Sequence, residues 1–444
     1  MPEIIEQQRF MCAIGAMQTV VAIKRALPIL HSGPGCGTMV AGFFERSTGY
    51  SGGNTAPCTN FSETDVVFGG EKKLEGIIRR SYQVLKSDLQ VVLTGCTSAI
   101  VGDDVNQVVK IFSAEGKPIV FADTPGFKCT NYEAHSLVVN AVIDQYTDRF
   151  APHDAPRDPA LVNVFASIPY QDPFWKGNLE ELKRIIEGIG LKVQVLFGPR
   201  TEGTEEWKAI PRANFNVLVS PWYGLDIVRH LEEKYDQPWF QFPYLPIGGN
   251  ETSRFLRELA AFAGERGAGI DSKTVDGFIK KEEAAFYEEI DNLATFLLEF
   301  RYGLPGFVHI LHDSGYVLGM AKFLLHETGI VPKELFITDK TPEQYQEAIL
   351  NIAGGISPKR NIPLYFYSDA GLAREIILGA EHEGRGLIIG SGWDKETAAE
   401  KKYDFLSAAL PSPYRLVMTT GYAGYRGGLR LIEDIYNQAL GTYR

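Results

Sequence analysis

Short apolar runs, each followed by a Gly-, Ser- or Asp-rich turn and then by apolar positions at helical spacing, recur along this 444-residue chain. Leu89–Leu93 reads as a buried strand, and Val105, Val108, Val109 and Phe112 follow on one helix face, which makes a βα unit with its turn at Thr94–Asp104. Phe150–Pro159, rich in proline and charge, reads as a linker. Beyond it Leu161–Ala166 is a strand, Leu179, Leu182, Ile185, Ile186 and Ile189 line a helix, and Leu191–Phe197 is the next strand. Phe215–Ser220 and the helix Gly224–Tyr235 continue the alternation. Residues 271–302 read as a long charged helix carrying Phe278, Phe286, Leu293, Phe296 and Leu297, suited to bridging two domains. A third set follows: Phe307–Leu311, the helix Tyr316–Glu327, Glu334–Thr338, Leu364–Tyr367, the helix Leu372–Glu381 and Leu387–Gly390. Strands alternating with helices imply right-handed crossovers and open parallel sheets, whose ligand sites lie beyond the C-terminal strand ends. The expected division is an α/β domain over 1–155, a second over 156–270, the helical bridge 271–302 and a third α/β domain over 303–444.

Composition narrows the class. The formal net charge is −11, and no run of Lys or Arg offsets it, so a nucleic-acid partner is not expected. The opening residues MPEIIEQQRFMC lack the basic start and apolar run of a signal peptide, and no stretch approaches the ~20 apolar residues that cross a bilayer. The expectation is a cytoplasmic protein without a membrane partner. Five cysteines in a reducing compartment are not a disulfide framework, and four of them fall within the first 100 residues, which points to local chemistry.

Cys36 sits in HSGPGCG, directly after the apolar run Leu27–Leu30, so its thiol is placed on a Gly-rich turn at a strand end. Glycine lets backbone approach a bulky inorganic group closely and lets amides point at sulfide. Cys96, in LTGCTSAIVGDD, holds the equivalent place after the next strand. Cys12 precedes the helix-like segment Ala13–Ala26, where a helix N-terminus favours a thiolate. Three thiols on three loop edges of one domain can converge as iron–sulfur ligands, and buried structural thiols are the alternative. A cubane normally takes four cysteines, so a further ligand has to come from another chain, across a subunit interface, or from a group other than cysteine. Zinc is disfavoured because no CxxC or HxxxH pair exists, and GPGCG lacks the Lys-Ser/Thr of a Walker loop and the spacing of GxGxxG.

CAIGA at Cys12, HSGPGC at Cys36, DVVFGGEKKL at Asp65–Leu74 and CTSAIVGDDV at Cys96, in that order and spacing, resemble the nitrogenase component 1 superfamily. DSGYVLGMAKFLL at Asp313–Leu325 and TTGYAGYRG at Thr419–Gly427 resemble its β-type subunit, so the likeness covers essentially the whole chain. It implies three doubly wound, Rossmann-like parallel-sheet domains. It also implies that Cys12, Cys36 and Cys96 hold half of an interfacial [8Fe-7S] P-cluster whose other half belongs to an α-type partner in an α2β2 heterotetramer, with electrons delivered by a separate ATP-dependent iron protein. The catalytic cofactor of such enzymes is held by the α-type chain through a Cys in mid-chain and a His near the C-terminus. Here no cysteine follows Cys129 and GYAGYRG has no His, so the resemblance implies a β-type relay subunit with no catalytic residue of its own. The FGGEKKL stretch is closer to α-type and scaffold chains.

The reaction implied first is that of a nitrogenase-like reductase such as methylthio-alkane reductase, on the strength of HSGPGC in place of the HGxQGC of dinitrogenase β chains. A dinitrogenase β subunit and a cofactor-assembly scaffold are the alternatives. The loop that carries a redox-responsive Ser in the family reads Gly126-Phe127-Lys128-Cys129-Thr130, making Cys129 and Thr130 weaker candidate ligands beside a structural reading of the Cys129 thiol. Cys58 matches no ligand position and reads as structural. His31 reads as a hydrogen-bonded loop residue, Asp103 and Asp104 as caps of the Val105 helix, and Lys72–Lys73 as a solvated face.

Overall fold

The computed structural model describes residues 13–39, 56–152, 156–300, 303–357 and 359–442. Three parallel sheets organise them. The first joins β1 (Ala26–His31), β2 (Leu89–Thr94) and β3 (Ile119–Ala122) in the order β1-β2-β3. The second contains β4 (Asp158–Phe165), β5 (Lys192–Gln194), β6 (Ala213–Val219) and β7 (Trp239–Phe242) in the order β5-β4-β6-β7. The third contains β8 (Phe307–His312), β9 (Val331–Ile337), β10 (Leu364–Phe366), β11 (Gly386–Gly390) and β12 (Asp404–Ser407) in the order β10-β9-β8-β11-β12. Every pairing is parallel. The chain is therefore α/β, as the alternation predicts, and the central strands are buried on both faces because helices cover each side. Among the described residues no helix is long and apolar enough to cross a membrane.

Local differences have local causes. The first helix stops at Ala22 instead of running to Ala26, because the chain turns through Arg25 at φ 65° and Ala26 already pairs with Leu89. Asp158 and Pro159 belong to β4 and not to a linker. The short strands β3, β7 and β12 have no long apolar run to announce them; β7 reads WFQF, a segment only partly buried except at Phe242.

The long helix Ser272–Phe300 is present, and its anchor is both apolar and ionic. Phe278 lies against Gly188 at the end of helix Trp175–Gly188, where a side chain would overlap the ring at 2.3 Å. Arg184 binds Glu282 at 2.9 and 2.6 Å and Glu181 at 2.8 and 2.7 Å, so one guanidinium ties the long helix to the second sheet's layer.

A buried polar cluster joins the second and third sheets. Asp172 accepts hydrogen bonds from the Tyr316 hydroxyl at 2.8 Å, from Asn178 Nδ2 at 3.0 Å and from the Phe174 amide at 2.7 Å. Burial pushes its pKa from 3.8 up to about 6 in spite of these donors. The folded protein thus holds this proton more tightly than the unfolded chain. Stability falls as pH rises through the window from about 4 to about 6, by about 3 kcal/mol, and is level above it. In chemical denaturation at pH 4 and pH 7, Asp172→Asn is expected to lose about 3 kcal/mol less than the unsubstituted protein across that interval; equal losses would show that Asp172 takes up no proton there.

Candidate iron–sulfur site

The C-terminal ends of β1 and β2 lie side by side, with His31 in register with Thr94. The expected Gly-rich turns are short helices instead: Cys36 lies in a helical segment over 34–39 just past β1, and Cys96 opens helix Cys96–Val101 just past β2. The two segments are stitched together at close range. The Gly95 amide donates to the His31 carbonyl at 3.0 Å, and the Ser98 hydroxyl donates to the same carbonyl at 2.6 Å. A side chain at position 95 would stand 2.1 Å from Ser32 Oγ, so glycine is required there for contact between the loops.

Each of the two thiols receives a hydrogen-bond donor. Ser32 Oγ donates to Cys36 Sγ at 3.4 Å, and the Gly126 amide, from the loop after β3, donates to Cys96 Sγ at 3.3 Å. That third loop is held in place by Thr94, whose hydroxyl donates to Asp123 at 2.6 Å and accepts from the Thr124 amide at 2.9 Å. Donors aimed at sulfur favour thiolates and tune the potential of a cluster they ligate. Among the described residues nothing lies within 4 Å of the position a side chain would take at Gly35. The donor set fits an iron–sulfur group. Cys12 falls outside the described residues, immediately before helix Ala13–Ala22.

Cys58 is also near, but its chemistry is that of a thiol. Residues 57–59 add a parallel bridge to the free edge of β1, and Cys58 Sγ lies 3.6 and 3.7 Å from the Ser32 and Gly33 carbonyls, to which it donates. Burial raises its pKa, although the Asn60 amide donates to its sulfur at 3.4 Å. Cys129 is buried with its thiol donating to the Pro125 carbonyl at 3.6 Å. Thr130 caps helix Asn131–Val142, its hydroxyl accepting from the Glu133 amide at 3.3 Å. Both side chains are thus engaged locally.

His31 is hydrogen-bonded, as expected, but it ends β1 and is not in a loop, and its partner makes it a strut. His31, fully buried, reaches Thr59 Oγ1 at 3.2 Å and Asp103 Oδ2 at 2.9 Å. Burial holds its pKa below 6.5 even beside that carboxylate, so the ring is a neutral link. Asp103 also accepts from the Gly70 amide at 3.1 and 3.0 Å. The expectation that both aspartates cap is corrected: Asp104 caps, accepting from the Gln107 amide at 2.9 Å, while Asp103 ties three loops together. Gly69 needs φ +87°, and a side chain at Gly70 would meet Phe61, Asp103 and His31 at 2.6 to 3.1 Å, which explains the paired glycines of DVVFGGEKKL. Lys73 is likewise no free surface charge; it binds Asp65 at 2.7 Å and the Asn60 carbonyl at 2.8 Å.

The surround is apolar and exposed. Helix Glu63–Phe68 packs against helix Cys96–Val101, and on them Val67, Phe68 and Ile100 are 72%, 83% and 76% exposed. Met39, three residues past Cys36, and Phe127, beside Gly126, are more than half exposed. Large apolar side chains left in water in one place mark an interaction surface.

Fold and site together define an α/β chain with three parallel-sheet units that presents paired thiols at the strand ends of the first. The chain belongs to the nitrogenase component 1 type oxidoreductase family, whose model matches residues 12–440, and it is a β-like member. It is 23% identical over 461 residues to the nitrogenase molybdenum-iron protein beta chain of Clostridium pasteurianum, covering 96% of this chain and 91% of that one. It is 25% identical over 436 residues to the nitrogenase iron-molybdenum cofactor biosynthesis protein NifE of a Nostoc strain, covering 96% and 82%. The solved structure of nitrogenase Cp1 at pH 6.5 shares the fold with a TM-score of 0.78 at 20% identity, over 99% of this chain and 94% of that one.

Proposed function

We propose that this chain is the β-type subunit of a nitrogenase-like reductase and that Cys12, Cys36 and Cys96 hold one half of an iron–sulfur cluster shared with an α-type subunit. The observation that carries the reading is the pairing of donor-supplied thiols with an exposed apolar rim. Cys36 and Cys96 are only half-buried, and Phe68, Ile100 and Phe127 stand exposed on the neighbouring helices and loop. When bound, such a cluster supplies one-electron relay between an ATP-dependent iron protein and the partner's catalytic cofactor. This chain's residues hold and orient: the helical segments after β1 and β2 fix the two sulfurs, Ser32 and Gly126 donate to them, the His31–Asp103 strut braces those segments, and the rim excludes water once the partner is seated. A half-site requires an α-type partner chain, and an α2β2 assembly with a P-cluster-type group is what the family likeness implies.

Anaerobic co-purification with the α-type chain, metal analysis for Fe, Mo and V, and an activity screen on thioethers and N2 test the reading and sort its substrates, with methylthio-alkane reduction placed before N2 reduction. The joint variant Phe68→Asp/Ile100→Asp is expected to abolish co-purification. Its own folding stability should change by less than about 1 kcal/mol, since both side chains are solvent-exposed in the isolated chain. Retained association would remove the rim from the interface. A second reading, an assembly scaffold, is favoured by the comparable identity to NifE chains; a chain that carries a cluster but turns over none of the substrates would support it.

A further inference from the structure

The third sheet carries a group of donors that the relay does not use. His309 is the third residue of β8, Glu334 lies on β9, and His382 lies in the loop before β11. Their ligand atoms all fall within 4.8 Å of one another, and among the described residues no other such group of three or more exists.

A break in strand register brings them together. Val308 pairs with Pro332 and Ile310 with Leu335, so both Lys333 and Glu334 stand opposite the single residue His309. A bulge of this kind re-aims a side chain, and here it turns a carboxylate toward an imidazole in the interior of a parallel sheet. Burying a carboxylate against two histidines costs desolvation that a plain apolar sequence would avoid.

The spacing of Glu334 and His382 suits a shared ion. Glu334 lies 3.3 Å from His382 Nε2 through either oxygen and 2.8 Å from His309 Nδ1. Nitrogen and oxygen ligands at ~2.0–2.1 Å from a tetrahedral zinc stand about 3.3 Å apart. The His309 contact is informative in another way. It is short, yet too poorly aligned for a well-directed hydrogen bond, so this fully buried histidine is paired with Glu334 by proximity and charge. An ion bonded to both atoms at ~2.1 Å would put the oxygen roughly 50° off the axis of the nitrogen lone pair, a direction in which an N–H bonds poorly.

We propose that His309, Glu334 and His382 bind one divalent transition-metal ion, zinc by preference, with water completing the shell. Two imidazoles and one carboxylate suit zinc and exclude calcium or magnesium, which take oxygen. The ion pins β8, β9 and the loop before β11. Glu334 and His382 side chains keep 12% and 17% exposure, enough for entry from solvent, whereas His309 is sealed beneath the rings of Phe307 and Tyr403.

Cobalt(II) is the probe, added to the purified, chelator-treated full chain under anaerobic conditions. One equivalent should give the visible d–d absorption of a four-coordinate nitrogen and oxygen site, without the near-ultraviolet sulfur-to-cobalt charge transfer that binding at the cysteines would add, and zinc should displace it. Zinc at about 100 times its Kd should raise the melting temperature by several degrees. Glu334→Gln and His382→Gln should each weaken cobalt binding by about tenfold or more and cancel the zinc-dependent rise. His382 is on a loop, so His382→Gln decides the matter if Glu334→Gln does not fold. Absence of the nitrogen and oxygen signature from the unsubstituted chain, or unchanged cobalt affinity in folded His382→Gln protein, overturns the site.

Discussion

Cys36→Ala or Cys96→Ala, produced anaerobically with the partner chain, is expected to lose the iron and the broad visible absorption of the shared cluster while the chain itself stays folded. The two halves of that expectation have separate physical grounds. Both cysteines are only half-buried, in short helical segments held by Gly95, Ser98 and the His31–Asp103 strut and not by the thiols, so truncation removes little packing. Unfolding by denaturant should shift by about 1 kcal/mol or less. In the proposed half-site iron is held by thiolates, which a methyl group cannot replace, and a cluster short of one ligand there has no spare donor. Cys58→Ala is the control with the opposite expectation. Its thiol gives its proton to backbone carbonyls, so its loss should leave iron content unchanged. Iron retained in Cys36→Ala and lost in Cys58→Ala would reverse the assignment of ligands and end the present reading of the site.

The contrast between those cysteines shows what a sequence can and cannot carry. Strands such as LQVVL are continuous apolar runs that only a sheet covered on both faces can bury, so β2 and the sheets built around such runs are legible from pattern alone. That Cys36 and Cys96 lie just past neighbouring strand ends is legible too, since each follows an apolar run by a few Gly-rich residues. Cys58 has no such marker, and its neighbourhood to Cys36 arises from a single bridge to the edge of β1 across 28 residues of sequence. Asp103 is a similar case. Next to Asp104 and before an apolar helix it has the signature of a cap, yet tertiary contact with His31 and Gly70 outbids the local role. His309 gave no signal at all. Inside FVHILH it is one of two histidines in a strand, and only the register break on the neighbouring strand turns Glu334 to face it.

The largest expected loss of stability comes from Asn178→Ala, and it explains a motif that sequence alone leaves as a resemblance. Asn178 is fully buried near the start of helix Trp175–Gly188, with its amide spent in both directions. Oδ1 accepts from the amides of Tyr422 at 2.8 Å and Ala423 at 3.0 Å, while Nδ2 donates to Asp172, Ser167 and Tyr316. Alanine would leave two backbone N–H groups of the GYAGYRG segment buried without an acceptor. Each such orphan costs about 1–3 kcal/mol, and the lost side-chain volume adds to it, so about 3–6 kcal/mol is expected overall. No water or neighbouring side chain can step in easily, because the two backbones touch: a Cβ at Gly177 would lie 2.3 Å from the Thr420 carbonyl carbon, and one at Gly421 would lie 2.5 Å from that of Gly177. The glycines are there so that helix and loop can meet without side chains between them, and Asn178 then satisfies what that closeness leaves unpaired. Asn178→Asp separates the two functions, keeping the acceptor for Tyr422 and Ala423 while losing the donor to Asp172 and setting a second carboxyl beside it. Denaturation should find it less destabilised than Asn178→Ala at pH 5 than at pH 8, where both acids carry charge; a cost for alanine below about 1 kcal/mol would mean that the two amides find other partners and that this contact does not hold the second and third sheets together.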